Sequence, residues 1–233
     1  MRLILIVLAL IALPATASAD VKARYTGAGG PASIEVDDNG DSRLGGDNGE
    51  SYSLFTASGD YVVFTRDRAL VAARYEDFHF VLDAMAAPIR GAAGGEPEQP
   101  RERSAAPTLT EAGKQNIAGY EGIRYEWVER PSGRKSFAIV SSAPELRPLG
   151  HAMAKLLAQM PSFAETMTGE RQPALVALVE MLGSTALLQL DDQATLAQVS
   201  FEPLPDERFR LPATLLTRDQ VAAMLQPGEP GVQ

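Results

Sequence analysis

SYSLFTASGDYVVFTRDRALVAARY, residues 51–75, decides the fold class. Residues 51–57, 61–66 and 69–75 read as three strands between short turns. Ser58-Gly59-Asp60 and Arg66-Asp67-Arg68 separate them. Turns this short join only antiparallel neighbours, because a parallel return needs a crossover of about a dozen residues or more. The stretch reads as a β-meander.

The meander extends upstream. Residues 21–26 alternate apolar and polar side chains, as a half-buried strand does, and residues 33–36 form a second short strand. Asp38-Asn39-Gly40-Asp41 and Asp47-Asn48-Gly49-Glu50 each carry Asn-Gly, the pair suited to the positive φ angles of a type I′ hairpin turn.

Downstream, the period changes. Phe78, Val81, Leu82 and Met85 recur at helical spacing within residues 76–89. Residues 91–107, GAAGGEPEQPRERSAAP, hold no aliphatic side chain larger than alanine and read as a flexible loop. Strands resume at Leu109. In residues 122–128, Ile123, Tyr125 and Trp127 point one way and Arg124 and Glu126 the other. Pro131-Ser132-Gly133 turns this strand into residues 135–142, with Phe137 and Ile139 on one face. Residues 148–160 put Leu149, Met153, Leu156 and Met160 on one stripe and are expected to stop at Pro161. Residues 162–167 suit a short helix. Residues 173–182 start with proline and precede Gly183, and their only charge is Glu180, so they read as a helix buried nearly all round. Residues 186–191 and 195–202 make a last hairpin. Thr217-Arg218-Asp219-Gln220 is a capping box before a final short helix.

The ends set the context. MRLILIVLALIALPATASAD has a basic Arg2, an apolar run from Leu3 to Leu13, Pro14, and Ala17-Ser18-Ala19 before Asp20. That is the pattern of a cleaved signal peptide over residues 1–19. Its apolar run is about half of the roughly 20 residues a spanning helix needs. The absence of cysteine excludes a lipid-modified cysteine, disulfides and thiolate chemistry. The expected product is one α+β domain over residues 20–225 with a disordered tail at 226–233. It is exported to the periplasm, or secreted, without a stable membrane anchor. The net charge of −9 repels nucleic acid and anionic head groups.

Catalytic and metal motifs are thin. His79 and His151 are the only histidines, and neither sits at the spacing of a zinc or Ser-His site. Residues 35–40, EVDDNG, start like a calcium loop, but Gly46 stands where the bidentate Glu should be. Asp37/Asp38 and Asp191/Asp192 lie at turns, where Asp serves local hydrogen bonds. No cofactor, metal or catalytic residue is expected. The methionines after Met1 (Met85, Met153, Met160, Met167, Met181 and Met224) all fall in helical segments, whereas Tyr25, Tyr52, Tyr61, Tyr125 and Trp127 fall on strands. Two arrangements fit. One is an ordinary core in which Met fills gaps. The other is an aromatic-lined sheet with Met-bearing helices across its mouth.

Residues 111–125, EAGKQNIAGYEGIRY, carry a resemblance, as do Tyr25-Thr26-Gly27 at the end of the first strand and Ser42-Arg43 before the 51–66 hairpin. With the order of elements, they resemble the DUF4412 group of exported bacterial proteins, related in fold to the LolA/LolB-like half-barrels. Gly122 departs from it, since members often carry cysteine there, and nothing that depends on that thiol transfers. The resemblance implies a curved antiparallel half-barrel whose concave face is covered by helices around an apolar cavity. It also implies carriage of lipid or acyl chains. The helices would be 148–160 and 173–182.

The expected function is therefore non-catalytic binding of an apolar ligand, a lipid or an acylated protein. The lining would be Tyr25, Tyr61, Tyr125, Trp127 and Phe137 from strands, and Met153, Leu156, Met160, Leu178 and Met181 from helices. Two alternatives are an envelope protein-interaction module with a filled core and a carboxylate-dependent hydrolase.

Overall fold

The computed structural model describes residues 20–46, 49–92, 108–129, 133–168, 173–212 and 214–225. The expected signal peptide, most of the 91–107 loop, Asp47-Asn48, Pro131-Ser132 and the 226–233 tail lie outside them.

The first half is the expected meander: β1 (Val21–Thr26), β2 (Ala32–Val36), β3 (Ser42–Gly46), β4 (Ser51–Thr56), β5 (Gly59–Arg66) and β6 (Ala69–Arg74), then α1 (Tyr75–Ala92). The helix takes in Gly91 and Ala92, which the loop reading had claimed. The second half runs β7 (Thr110–Ile117), β8 (Tyr120–Val128), β9 (Lys135–Ser141), α2 (Arg147–Thr168), α3 (Pro173–Leu182), β10 (Ala186–Leu190), β11 (Ala194–Ser200), β12 (Thr214–Leu215) and α4 (Arg218–Leu225). The fold is α+β.

The turns differ from expectation in an instructive way. At Asn39-Gly40 only the glycine has positive φ, +84°. Gly40 N–H donates to Asp37 O, and the Asp37 carboxylate accepts from the N–H groups of Asn39 and Asp41. The aspartate's side chain organises a longer turn in place of the two-residue type I′ turn. The paired positive φ values of a type I′ turn occur instead at Asp67-Arg68, 50° and 66°, and at Ala118-Gly119, 51° and 89°.

All strands join one open sheet in the order β12-β6-β5-β4-β3-β2-β1-β11-β10-β9-β8-β7. Every pairing is antiparallel except β12 on β6. The sheet is curved. β7 stands four places from β11, about 19 Å in a flat sheet at the usual strand spacing, yet their Cα atoms come within 8 Å.

Cross-strand pairs share a face, so the register sorts the side chains. Tyr25, Ala23 and Val21 stand opposite Ala32, Ile34 and Val36. That face continues through Leu44 to Phe55 and carries α2. Met153 of α2 touches both this cluster and a second one around Trp127, Ala138, Val140 and Leu187, which α3 covers with Leu178 and Leu182. α1 packs on β5, β6 and α2, and α4 packs on α1. The capping box at α4 forms: Thr217 N–H donates to Gln220 Oε1, and Gln220 N–H to Thr217 Oγ1.

Two helical expectations fail. α2 runs through Pro161 to Thr168 and absorbs the separate short helix. Proline removes one N–H from the ladder, and here that does not end the helix. α3 is not buried all round: Leu178 and Leu182 are buried, but Val176 is 43% exposed. Among its described side chains, Ala174, Leu178, Met181 and Leu182 meet the second cluster while Val176 faces out, so the apolar character of α3 overstates its burial. Among the described residues no helix is long and apolar enough to cross a membrane.

The opposite face of β2–β6 is covered by the segment that follows β11. Leu204, Phe209 and Leu211 pack on Tyr52, Leu54, Tyr61, Val63 and Ala72. Glu35, in β2 and 1% exposed, anchors this cover. It pairs with Arg208 from the covering segment and with Lys22 of β1 at 2.9 Å. Burial raises the Glu35 carboxyl, but the hydrogen bonds and charges of Arg208 and Lys22 outweigh it and hold the group below its ordinary value. A carboxyl depressed in the folded state contributes stability above the ordinary carboxylate pKa of about 4.3, and loses it as pH falls through the folded value. Glu35→Gln is expected to be less stable at pH 7 and to lose this part of the acid dependence. Urea midpoints of both proteins from pH 7 to pH 3 check this; parallel profiles would contradict it.

Candidate functional site

The ten expected lining residues do not meet around one space. Tyr125, Trp127, Met153, Leu178 and Met181 share the second cluster. Tyr25, Phe137, Met153 and Leu156 belong to the first. Phe137 pairs with Glu126 while Tyr125 pairs with Ala138, so Phe137 faces away from Tyr125 and Trp127; Arg124 stacks on it at 3.6 Å. Tyr61 pairs with Leu54 and Arg74 on the face away from the helices. The Met160 side chain lies outside the described residues. Tyr25 is packed as core: its hydroxyl donates to Leu187 O at 2.8 Å, and burial pushes its phenol far up.

The histidines separate into two roles. His151 Nε2 lies 2.8 Å from Gly183 O, so the ring donates there and holds the chain leaving α3. His79 is different. Its Nε2 is buried and has no hydrogen-bond partner among the described residues. Unpaired buried polar atoms are uncommon and costly, and each calls for a cause. Trp127 Nε1 is in the same condition within the second cluster.

His79 lines a cleft of about 170 Å³ where β5, α1 and α2 meet. The other walls are Val62, Tyr75, Phe78, Leu82, Leu156 and Gln159. Helical spacing puts Tyr75, Phe78, His79 and Leu82 on one side of α1. Val62 comes from the strand face that meets the helices, opposite Ser53. Leu156 and Gln159 are one turn apart on α2.

One wall is a stack of rings. Phe55 and Tyr75 lie 5.8 Å apart and nearly parallel, and Tyr75 and His79 follow at 5.9 Å. The Tyr75 hydroxyl is tied to Ser53 Oγ at 2.6 Å. Burial, and then the nearby Asp60 carboxylate, push the Tyr75 phenol up, against the opposing bond to Ser53. The Gln159 amide donates to Asp60 Oδ2 at 3.4 Å. The cleft is thus mostly apolar, with its tyrosine and glutamine already engaged.

A second cleft, about 280 Å³, lies between α1 and α4. Arg218 spans it, bound to Asp77 at 2.7 Å and stacked 4.3 Å from the Phe80 ring. Phe80 is 55% and Met85 37% exposed at its rim.

Three of the carboxylates considered for metal or hydrolytic work are engaged elsewhere. Glu35 holds Arg208 and Lys22, Asp37 holds its own turn, and Asp191 accepts the Phe137 N–H at 2.7 Å. Gly122 has no room for a side chain. A Cβ there would stand 2.6 Å from Ile139 Cγ2 and 2.8 Å from Leu188 Cδ1.

Of the expected residues whose side chains are described, only Leu156 lines the β5–α1–α2 cleft. The sequence signal that was available is Tyr75 and His79 at i and i+4, with His79 on the apolar side of α1. No family model, curated protein or solved structure matches the chain.

Proposed function

We propose that this protein is exported to the periplasm by a cleaved signal peptide and binds an apolar ligand there without catalysing a reaction. The ligand class is a lipid or an acylated protein, and the curved sheet is read as a LolA-like half-barrel. The observation that carries the reading is the β5–α1–α2 cleft: apolar walls between sheet and helices, with a buried polar atom left unpaired at His79. Ligand sites are commonly apolar concavities with a few placed polar groups. The cleft is small, so it would hold one end of an acyl chain and leave the rest along its open mouth.

A fluorescent fatty-acid analogue is expected to bind the purified protein saturably. Leu156→Trp, which fills the cleft, is expected to weaken it at least tenfold with the circular dichroism spectrum unchanged. Absence of saturable binding, or binding indifferent to Leu156→Trp, would reject the reading.

A second reading, an envelope interaction module, is favoured by a specific observation: Tyr25, Trp127 and Leu178 are spent in packed cores. Native mass spectrometry of the protein drawn gently from the periplasm separates the two, by bound lipid mass or bound protein mass.

A further inference from the structure

Residues 201–211 cross the face of the sheet away from the helices and add no strand to it. Among the described residues, the backbone of this strap makes no hydrogen bond to the backbone of the sheet. Its backbone bonds are internal, Arg208 N–H to Pro205 O and Arg210 N–H to Glu207 O. Glu202 N–H stays on Ser200 Oγ where the strap leaves β11. Beyond that point it is held by Leu204, Phe209 and Leu211 on the apolar face and by two carboxylates of the body. Asp20 accepts the Leu204 N–H, and Glu35 accepts Arg208. Register sets Lys22, Glu35, Arg43, Leu54, Tyr61 and Arg74 in one row across this face, and Glu35 is the only acid in it. Lys22 faces Glu35 from β1, with Arg24 next on the same side of that strand. Arg43 faces it from β3, stacked 3.9 Å from the Tyr52 ring. Arg208 faces it from the strap, preceded by the exposed Asp206 and Glu207. Remove the charge of Glu35, and Arg208 lies over a row of bases with no acid between them.

We propose that residues 201–211 are an acid-released strap: protonation of Glu35 frees Arg208, the strap lifts, and Tyr52, Leu54, Tyr61 and Val63 are uncovered while the helix-bearing face stays packed. Burial raises the Glu35 carboxyl, but the bonds and charges of Arg208 and Lys22 outweigh it, so the folded group sits below its ordinary value. The latch is therefore intact above the ordinary carboxylate pKa of about 4.3 and is lost as pH falls through the folded value. The cluster under the strap shares no residue with the clusters under the helices, so one face can open as a local unit while the other holds.

Glu35→Gln stands for the protonated state at neutral pH. Trypsin cuts after Lys and Arg, so Arg208 and Arg210 report on the strap directly. Cleavage at these two sites is expected to be about tenfold faster in Glu35→Gln than in the parent, since one side of a buried pair is removed and cleavage follows the open population. Cleavage after Arg124 in β8 and Lys155 in α2 is expected to be unchanged. Glu129→Gln breaks an ion pair with Arg134 at the β8–β9 turn, and it is expected to leave strap cleavage at the parent's rate. In the parent, hydrogen-exchange protection of the strap amides, corrected for the intrinsic rate, is expected to fall between pH 7 and pH 3 before that of β10 does. Equal strap cleavage in Glu35→Gln and the parent overturns the proposal. So does a rise shared equally by Arg124 and Lys155, which would mean that the protein opens as one unit. If Glu35→Gln does not fold, the parent's exchange decides alone: strap and β10 losing protection together overturns the proposal.

Discussion

Gly150→Ala should lower the stability of this protein by about 3 kcal/mol, at the upper end of the usual cost of overpacking. The sign is the informative part. At an open position inside a helix, replacing glycine by alanine stabilises by up to about 1 kcal/mol. Gly150 lies in the first turns of α2, and a Cβ built on it would stand 1.7 Å from Thr185 O and 2.9 Å from Leu182 O. Both are backbone atoms, at the junction of α3 and β10, so no side-chain rotation relieves the collision. α2 would have to withdraw from the junction and loosen its neighbours Leu149 and Ala152, both buried in the first cluster. Urea unfolding of the two proteins measures the difference. A variant as stable as the parent would mean that α2 and the α3–β10 corner are farther apart than described.

Phe55→Ala is the second large effect, about 3–5 kcal/mol for deleting a fully buried phenyl ring. It reaches further than stability. Phe55 supports Tyr75, and Tyr75 supports His79, so the substitution removes the base of the ring stack that walls the cleft. Affinity for an apolar probe should fall along with the unfolding midpoint. Tyr61→Ala supplies the contrast. Tyr61 is as deeply buried, but on the face away from the helices. It should cost stability and leave probe affinity unchanged at temperatures where both variants remain folded. Equal losses of affinity in the two variants would argue that the cleft does not bind the probe.

The local structure was legible because its signals are local. Alternation along residues 21–26 gave a strand with every second residue buried, and Thr217 with Gln220 gave the start of α4. The faces of β8 were also readable, since Ile123, Tyr125 and Trp127 follow the pleat. The site was not legible, for a physical reason. Whether two aromatic residues on different strands share a face depends on register, and register depends on turns and bulges. Tyr25 and Tyr61 both sit on inward-looking positions of their own strands, yet the sheet buries them on opposite sides. One side is covered by helices and the other by the segment around Phe209. Nothing in the segment's composition announces that cover; its anchor, Arg208 on Glu35, joins residues far apart in sequence. Pro161 misled because a proline's cost can be met within a long packed helix. His79 was passed over because a histidine without nearby ligands looks inert, and its neighbour across the cleft, Leu156, lies on another helix.

The position of β1 carries a last consequence, for the order in which the chain can fold. The strand nearest the start of the described chain is not at an edge. It sits in the middle of the sheet, between β2 and β11, with Lys22 opposite Ser200. A chain emerging amino-terminus first can assemble β1 to β6 as a run of local hairpins. The other side of β1 stays an open edge until residue 200 has emerged. Contacts of such long sequence separation form slowly, since the loop they close must be ordered before they stabilise anything. The two halves therefore become one sheet only when nearly the whole chain is present. Until then the chain holds a partial sheet whose β1 edge is open, the state in which a helper that covers edges would matter most.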